Sequence, residues 1–120
     1  MNFKEKYPEF FPATGYVEIA IAEGWNDLVD RLFTAIRANK VDLKVLQIKE
    51  KFGGLRFYYS IDTGGGDVHS VLNLIEQAER DSYHICEVCG EQGCRHTNKN
   101  GWVKTLCDKH AQEKGYLKEK

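Results

Sequence analysis

All four cysteines of the chain and two of its four histidines fall within residues 86–110, CEVCGEQGCRHTNKNGWVKTLCDKH. The spacing is Cys86-x2-Cys89, 17 intervening residues, then Cys107-x2-His110. Thiolate and imidazole are zinc ligands, and two close pairs suit a tetrahedral ion. Each pair spans one edge, and the loop carries the chain to the opposite edge. Gly90 follows the first pair, where a tight knuckle needs positive φ. Cys94 and His96 lie between the pairs, and either could replace one member. The expected set is Cys86, Cys89, Cys107 and His110 around Zn2+. Four protein ligands close the coordination shell, whereas a catalytic zinc keeps a position open, so the ion is expected to be structural. Neither HExxH nor HxE…PCxxC occurs in the sequence.

A second group of residues offers different chemistry. In residues 45–61, VLQIKEKFGGLRFYYSI, the apolar Leu46, Ile48 and Phe52 alternate with Gln47, Lys49 and Lys51. After Gly53-Gly54, the run Leu55, Phe57, Tyr59, Ile61 alternates with Arg56, Tyr58 and Ser60. Two period-2 runs joined at Gly-Gly predict a β-hairpin with one face against the core. Its outer face would gather Lys49, Lys51, Arg56 and Tyr58 as a ligand-binding set. Residues 40–60 hold five Lys or Arg against two acids, in a chain of net charge −1. Basic side chains beside an exposed tyrosine can hold phosphates and stack a base. The plainer alternative is a solvated sheet face, where lysine blocks edge pairing. Glu50 falls on the apolar face and needs a cationic partner there.

The elements that must position these residues follow from the remaining pattern. Val17, Ile19 and Ile21 alternate and predict a short strand or extended lead-in. Gly24-Trp25-Asn26-Asp27 reads as a helix start with polar caps, and Trp25, Leu28, Val29, Leu32, Phe33 and Ile36 form its apolar stripe. A second helix is expected over residues 68–81, N-capped by Asp67, with Val68, Val71, Leu72, Ile75 and Ala78 inward and His69 in water. The glycine loop of residues 62–67 lacks GxxxxGK[ST], and Asp62 and Asp67 would repel an anion, so it reads as a connector. Residues 102–106 predict a strand, and residues 111–114 a helix that opens at Cys107 and His110. The first 15 residues, with Pro8 and Pro12 among aromatics, are expected to be irregular and partly packed, or to dock on a partner. Residues 114–120 are expected to fray.

The expected fold class is α+β: a hairpin in a small antiparallel sheet on two helices (residues 1–85), with a zinc module packed against it (residues 86–120). A knuckle, a hairpin and a ligand pair opening a helix resemble the treble-clef zinc fold. That fold also underlies HNH nucleases, and Leu106-Cys107-x-x-His110 is similar to their C-terminal half. Such an enzyme would need His96 as its base and Asn98 or Asn100 beside it. Arg95 stands where an acidic residue is usual, and the loop is short for a second metal.

The hairpin IKEKFGGLRFYYS, the Gly-Trp helix start and CEVCG…GW…TLCDKH together resemble small uncharacterised proteins of bacteriophages and prophages. The resemblance implies a setting: an accessory protein acting without turnover on a host (defence) system. At 120 residues, with 42% hydrophobic residues and no apolar run long enough to cross a membrane, the chain is expected to be a cytoplasmic protein with reduced thiols, in the bacterial host if phage-encoded. The leading functional expectation is a non-enzymatic, zinc-stabilised module binding a nucleic acid or nucleotide, which could be a host-defence signal. The alternative is an inhibitor or adaptor that grips a host protein through Tyr58, Trp102, Phe10 or Phe11.

Overall fold

The computed structural model describes residues 1–62 and 65–119. It has the expected α+β class, in two small sheets and four helices. Helix α2, Asn26–Ala38, buries Leu28, Val29, Leu32, Phe33 and Ile36 along one stripe. Its start departs from the expected polar cap. A 3-10 turn, Glu23–Trp25, leads in, and the N-cap is Trp25 with no side-chain cap bond. Trp25 is fully buried, and its Nε1 donates to the Ile85 carbonyl at 2.9 Å. The Gly24 amide donates to the Glu87 carbonyl at 2.8 Å. The helix start is therefore tied to the cysteine segment instead of being capped by its own polar residues.

The N-terminal arm is packed, as expected, but more fully than a partly packed irregular segment and not as a free docking arm. Helix α1, Phe3–Lys6, and a 3-10 turn, Pro8–Phe10, wrap Phe33 of α2. The Phe3, Tyr7 and Phe10 rings lie 5.7, 5.0 and 5.5 Å from Phe33 between centroids, within the range of favourable aromatic packing. Tyr7 Oη donates to Asp30 Oδ1 at 2.5 Å, satisfying the one polar atom the ring buries. With Phe10 only 3% exposed, it is not available as a partner contact.

The first sheet runs β1-β2-β3, where β1 is Glu18–Ala20, β2 is Asp42–Lys51 and β3 is Gly54–Asp62. β2 and β3 form the expected hairpin, and β1 adds a parallel strand beside β2. The turn is Phe52-Gly53, one residue earlier than Gly-Gly, because Lys51 pairs with Gly54. Both turn residues have positive φ, 54° and 80°, the type I′ pattern that matches strand twist. A bulge between Val45 and Gln47 also changes the inward set. Leu43, Val45 and Ile48 are buried, whereas Leu46 and Phe52, expected inside, are 56% and 61% exposed. One extra residue reverses the facing of everything before it, which strict alternation cannot register. Glu50 finds a partner in the turn itself: its Oε2 accepts from the Gly53 amide at 2.7 Å.

Helix α3, Val68–Ser82, packs on α2 and β3. Asp67 caps it as expected, accepting from the Ser70 amide at 3.0 Å, and His69 is exposed. Val71, Ile75, Ala78 and Ser82 are buried; Leu74 joins them in place of Leu72, which is 41% exposed. Two α3 side chains cover the open edge of β3: Ser82 Oγ accepts from the Leu55 amide and Glu79 Oε2 from the Phe57 amide, each at 2.9 Å. Of the glycine connector, Thr63 and Gly64 lie outside the described residues, as does Lys120 of the C-terminal tail. Among the described residues no helix is long and apolar enough to cross a membrane.

The second sheet runs β5-β4-β6, with β4 at Cys94–Thr97, β5 at Val103–Leu106 and β6 at Leu117–Lys118. Helix α4, Asp108–Lys114, ends at Gly115 in the left-handed conformation. The tail then turns back instead of fraying. Leu117 and Lys118 pair with Thr97 and His96, and Arg95 holds Glu119 at 2.6 Å.

Candidate metal centre and the adjoining basic face

Cys86 and Cys89 flank a knuckle closed by the Gly90 amide, which donates to the Cys86 carbonyl at 3.0 Å with Gly90 at φ 81°. Cys107 is the N-cap of α4 and His110 lies in its first turn. The ligand atoms of Cys86, Cys89, Cys107 and His110 all lie within 4.8 Å of one another, close enough to hold a metal ion. Cys89 and Cys107 sulfurs are 3.8 Å apart, and His110 Nδ1 is 3.8 Å from Cys86 Sγ and 3.2 Å from Cys107 Sγ. Metal–sulfur bonds of about 2.3 Å at tetrahedral angles give an edge of about 3.8 Å, so the spacing fits one ion. On its other side His110 Nε2 lies 3.9 Å from the exposed Glu113 carboxylate, too far for a hydrogen bond.

The thiols are prepared unequally. Burial pushes the Cys86 thiol up, but the amides of Cys107, Cys89 and Val88 stabilise its thiolate more, bringing it to about 7. The Glu91 amide pulls Cys89 down, yet burial and the neighbouring Cys86 and Cys107 hold it above its ordinary value. Cys94 and His96 stand on β4 and do not belong to the cluster. His96 is 2% exposed with Nδ1 2.8 Å from the Cys94 carbonyl oxygen, a poor position for a base that must meet a substrate.

Glu87, between the first two ligands and not singled out by the sequence pattern, is 3% exposed. Its Oε2 accepts from the Thr105 amide at 2.8 Å. Burial raises its pKa, opposed by that amide and by Lys104. Lys104 Nζ lies 3.5 Å from Glu87 and 3.8 Å from Glu50, and Thr105 Oγ1 donates to the Gly53 carbonyl at 2.6 Å. The metal knuckle, β5 and the hairpin turn thus meet in one polar joint.

On the hairpin's outer face, Lys49 stands directly opposite Arg56, and Gln47 opposite Tyr58. Small Ala20 lies beside Lys49 on β1, and Lys49 and Arg56 are both half-buried. Lys51 is exposed one step nearer the turn, and Tyr58 is 42% exposed. Among the described residues no ion pair involves Lys49, Lys51 or Arg56, whereas Lys44 is drawn away to Asp42 and the Glu9 carbonyl. The four expected residues therefore share one surface, three of them as unneutralised cations. Compared with protein-family models, with curated proteins and with solved structures, the chain shows no match.

Proposed function

We propose that the chain is a zinc-stabilised, non-enzymatic binding protein whose outer sheet face takes an anionic ligand, a nucleic acid or a nucleotide. One observation carries the proposal: Lys49 and Arg56 face each other across β2 and β3, and among the described residues no acid pairs with either. Like charges directly opposite in a sheet destabilise it, and phosphate oxygens would relieve that repulsion. Zinc suits the three thiols and one imidazole, and its part is to hold the C-terminal third together. Among the described residues the buried apolar set there is Cys86, Leu106 and Ala111, with Val88, Cys107 and Tyr116 partly buried against it, a small core for unaided folding. Thiolate ligands suit a reducing compartment such as a bacterial cytoplasm, in keeping with the phage-type accessory setting that the hairpin motif resembles.

A salt series tests the anionic contact. Affinity for a labelled oligonucleotide or nucleotide should fall steeply with salt, and Lys51→Glu with Arg56→Glu should abolish binding while the fold and metal content persist. Salt-independent binding would refute it. A protein-binding role finds support in a different place, the 68% exposed Trp102 just before β5 and the 77% exposed Leu117 of β6. A host-protein complex indifferent to nuclease and to the Arg56 variant would favour that alternative.

A further inference from the structure

The turn of the hairpin carries a residue its backbone does not favour. Type I′ turns take Asn or Gly at their first central position, because both central residues need φ above zero. Here that position is Phe52 at φ 54°. A bulky side chain in the left-handed region is an outlier, and such strain collects where a side chain has work to do. Phe52 does not repay it by packing, because the ring is 61% exposed. Lys51 Nζ lies 5.6 Å from the ring centroid, so the aromatic surface and the end of the cationic stripe are neighbours. At the other end of the stripe, Tyr58 shares the face of Arg56 and is 42% exposed. A third ring lies at the margin. Gly54 stands opposite Lys51, and a side chain at Gly54 would collide with Cζ and Oη of Tyr83.

Resting on the anion-binding proposal, we infer that the ligand is single-stranded nucleic acid, with its phosphates on Lys49, Lys51 and Arg56 and its bases stacked on Phe52 and Tyr58. A groove of cations flanked by exposed aromatic rings is the sequence-tolerant way to hold unpaired bases. A duplex hides its base faces and would leave both rings idle. The Lys51 and Gln47 levels of the sheet are four residues apart, about 13 Å at a strand's rise. That spans about four stacked nucleotides, so a short segment fills the face.

The test uses the full zinc-loaded chain and a fluorescein-labelled mixed-sequence DNA 12-mer, single-stranded and as its duplex, with inorganic polyphosphate as a base-free anion. The single strand should bind more tightly than the duplex. Tyr58→Leu should weaken single-strand binding by roughly 5- to 150-fold, the range that base–aromatic stacking supplies. Phe52→Asn should weaken it similarly while raising the thermal midpoint, because asparagine suits the turn better. Metal content and circular dichroism check that each variant is folded. Equal binding of duplex and single strand, or aromatic variants without effect while Lys49→Glu with Arg56→Glu abolishes binding, overturns the stacking inference and leaves the anionic site standing. Failure of the oligonucleotides and of polyphosphate alike to bind overturns both.

Discussion

Replacing Thr105 with valine removes one hydroxyl from a fully buried site and keeps the shape. That hydroxyl donates to the Gly53 carbonyl at 2.6 Å, joining β5 to a hairpin turn 52 residues away in the chain. The variant loses the bond and leaves a carbonyl oxygen without its partner, a cost of about 1–3 kcal/mol. At about 4 °C per kcal/mol for a chain of this length, the thermal midpoint should drop by about 4–12 °C. Thr105→Ser keeps the donor and deletes one methyl, about 0.8 kcal/mol. Both variants also keep the Thr105 main-chain bond to Glu87, so the metal knuckle is touched equally in each. Urea and thermal unfolding of the zinc-loaded protein should therefore rank parent, Ser, Val in falling stability. Valine at least as stable as serine would show that the joint is held by packing alone, and that the Thr105–Gly53 bond does not couple the two parts.

Three further outcomes follow from the same geometry. Removing the metal with a chelator should unfold residues 86–119 while leaving most of the aromatic core around Phe33 intact; thiol labelling should rise from one at most, the half-buried Cys94 outside the cluster, to four, while near-ultraviolet signals of the core change little. Asp30 is held below its ordinary value of 3.8 by hydrogen bonds from Lys6 and Tyr7. Its contribution is therefore present above that value and fades as pH falls through the lowered one, so Asp30→Asn should shrink the stability lost as pH falls below 3.8 in urea titrations. Glu79→Ala frees the Phe57 amide at the edge of β3 and should promote self-association, measured by light scattering at rising concentration.

The metal cluster was legible because ligand spacing is local: two residues between partners fix each pair, whatever the rest of the chain does. The choice between Cys94, His96 and the outer four was not local. It depended on β4 turning the Cys94–Thr97 segment into a sheet, which burial of His96 required. Helix stripes were readable wherever the apolar spacing was unbroken, as from Leu28 to Ile36. In α3, Leu72 and Leu74 fit the pattern almost equally, and contact with the neighbouring elements chose Leu74. The bulge at Leu46 left no mark in the alternation, since shifting the register there yields another run that also looks amphipathic. Glu87 was hidden for a different reason. A glutamate between two cysteines looks solvated until β5 brings the Thr105 amide to it from 18 residues away.

The strained turn at Phe52 needs an explanation for how it persists as well as for what it does. A left-handed Phe would relax to another turn unless its neighbours fixed it. Two groups fix the next residue, and a third stands behind one of them: Glu50 accepts from the Gly53 amide, Thr105 donates to the Gly53 carbonyl, and Lys104 lies 3.8 Å from Glu50. Two of the three come from β5, whose last residue, Leu106, adjoins the ligand Cys107. A metal held by Cys107 would therefore be linked to the hairpin tip through two residues, Leu106 and Thr105, and one hydrogen bond. Stripping the metal should then lower oligonucleotide affinity by about the factor Phe52→Asn does, since both remove the same ring from its held position. Stripped protein that binds as tightly as the loaded form would break that link and leave the metal with no role beyond its own module.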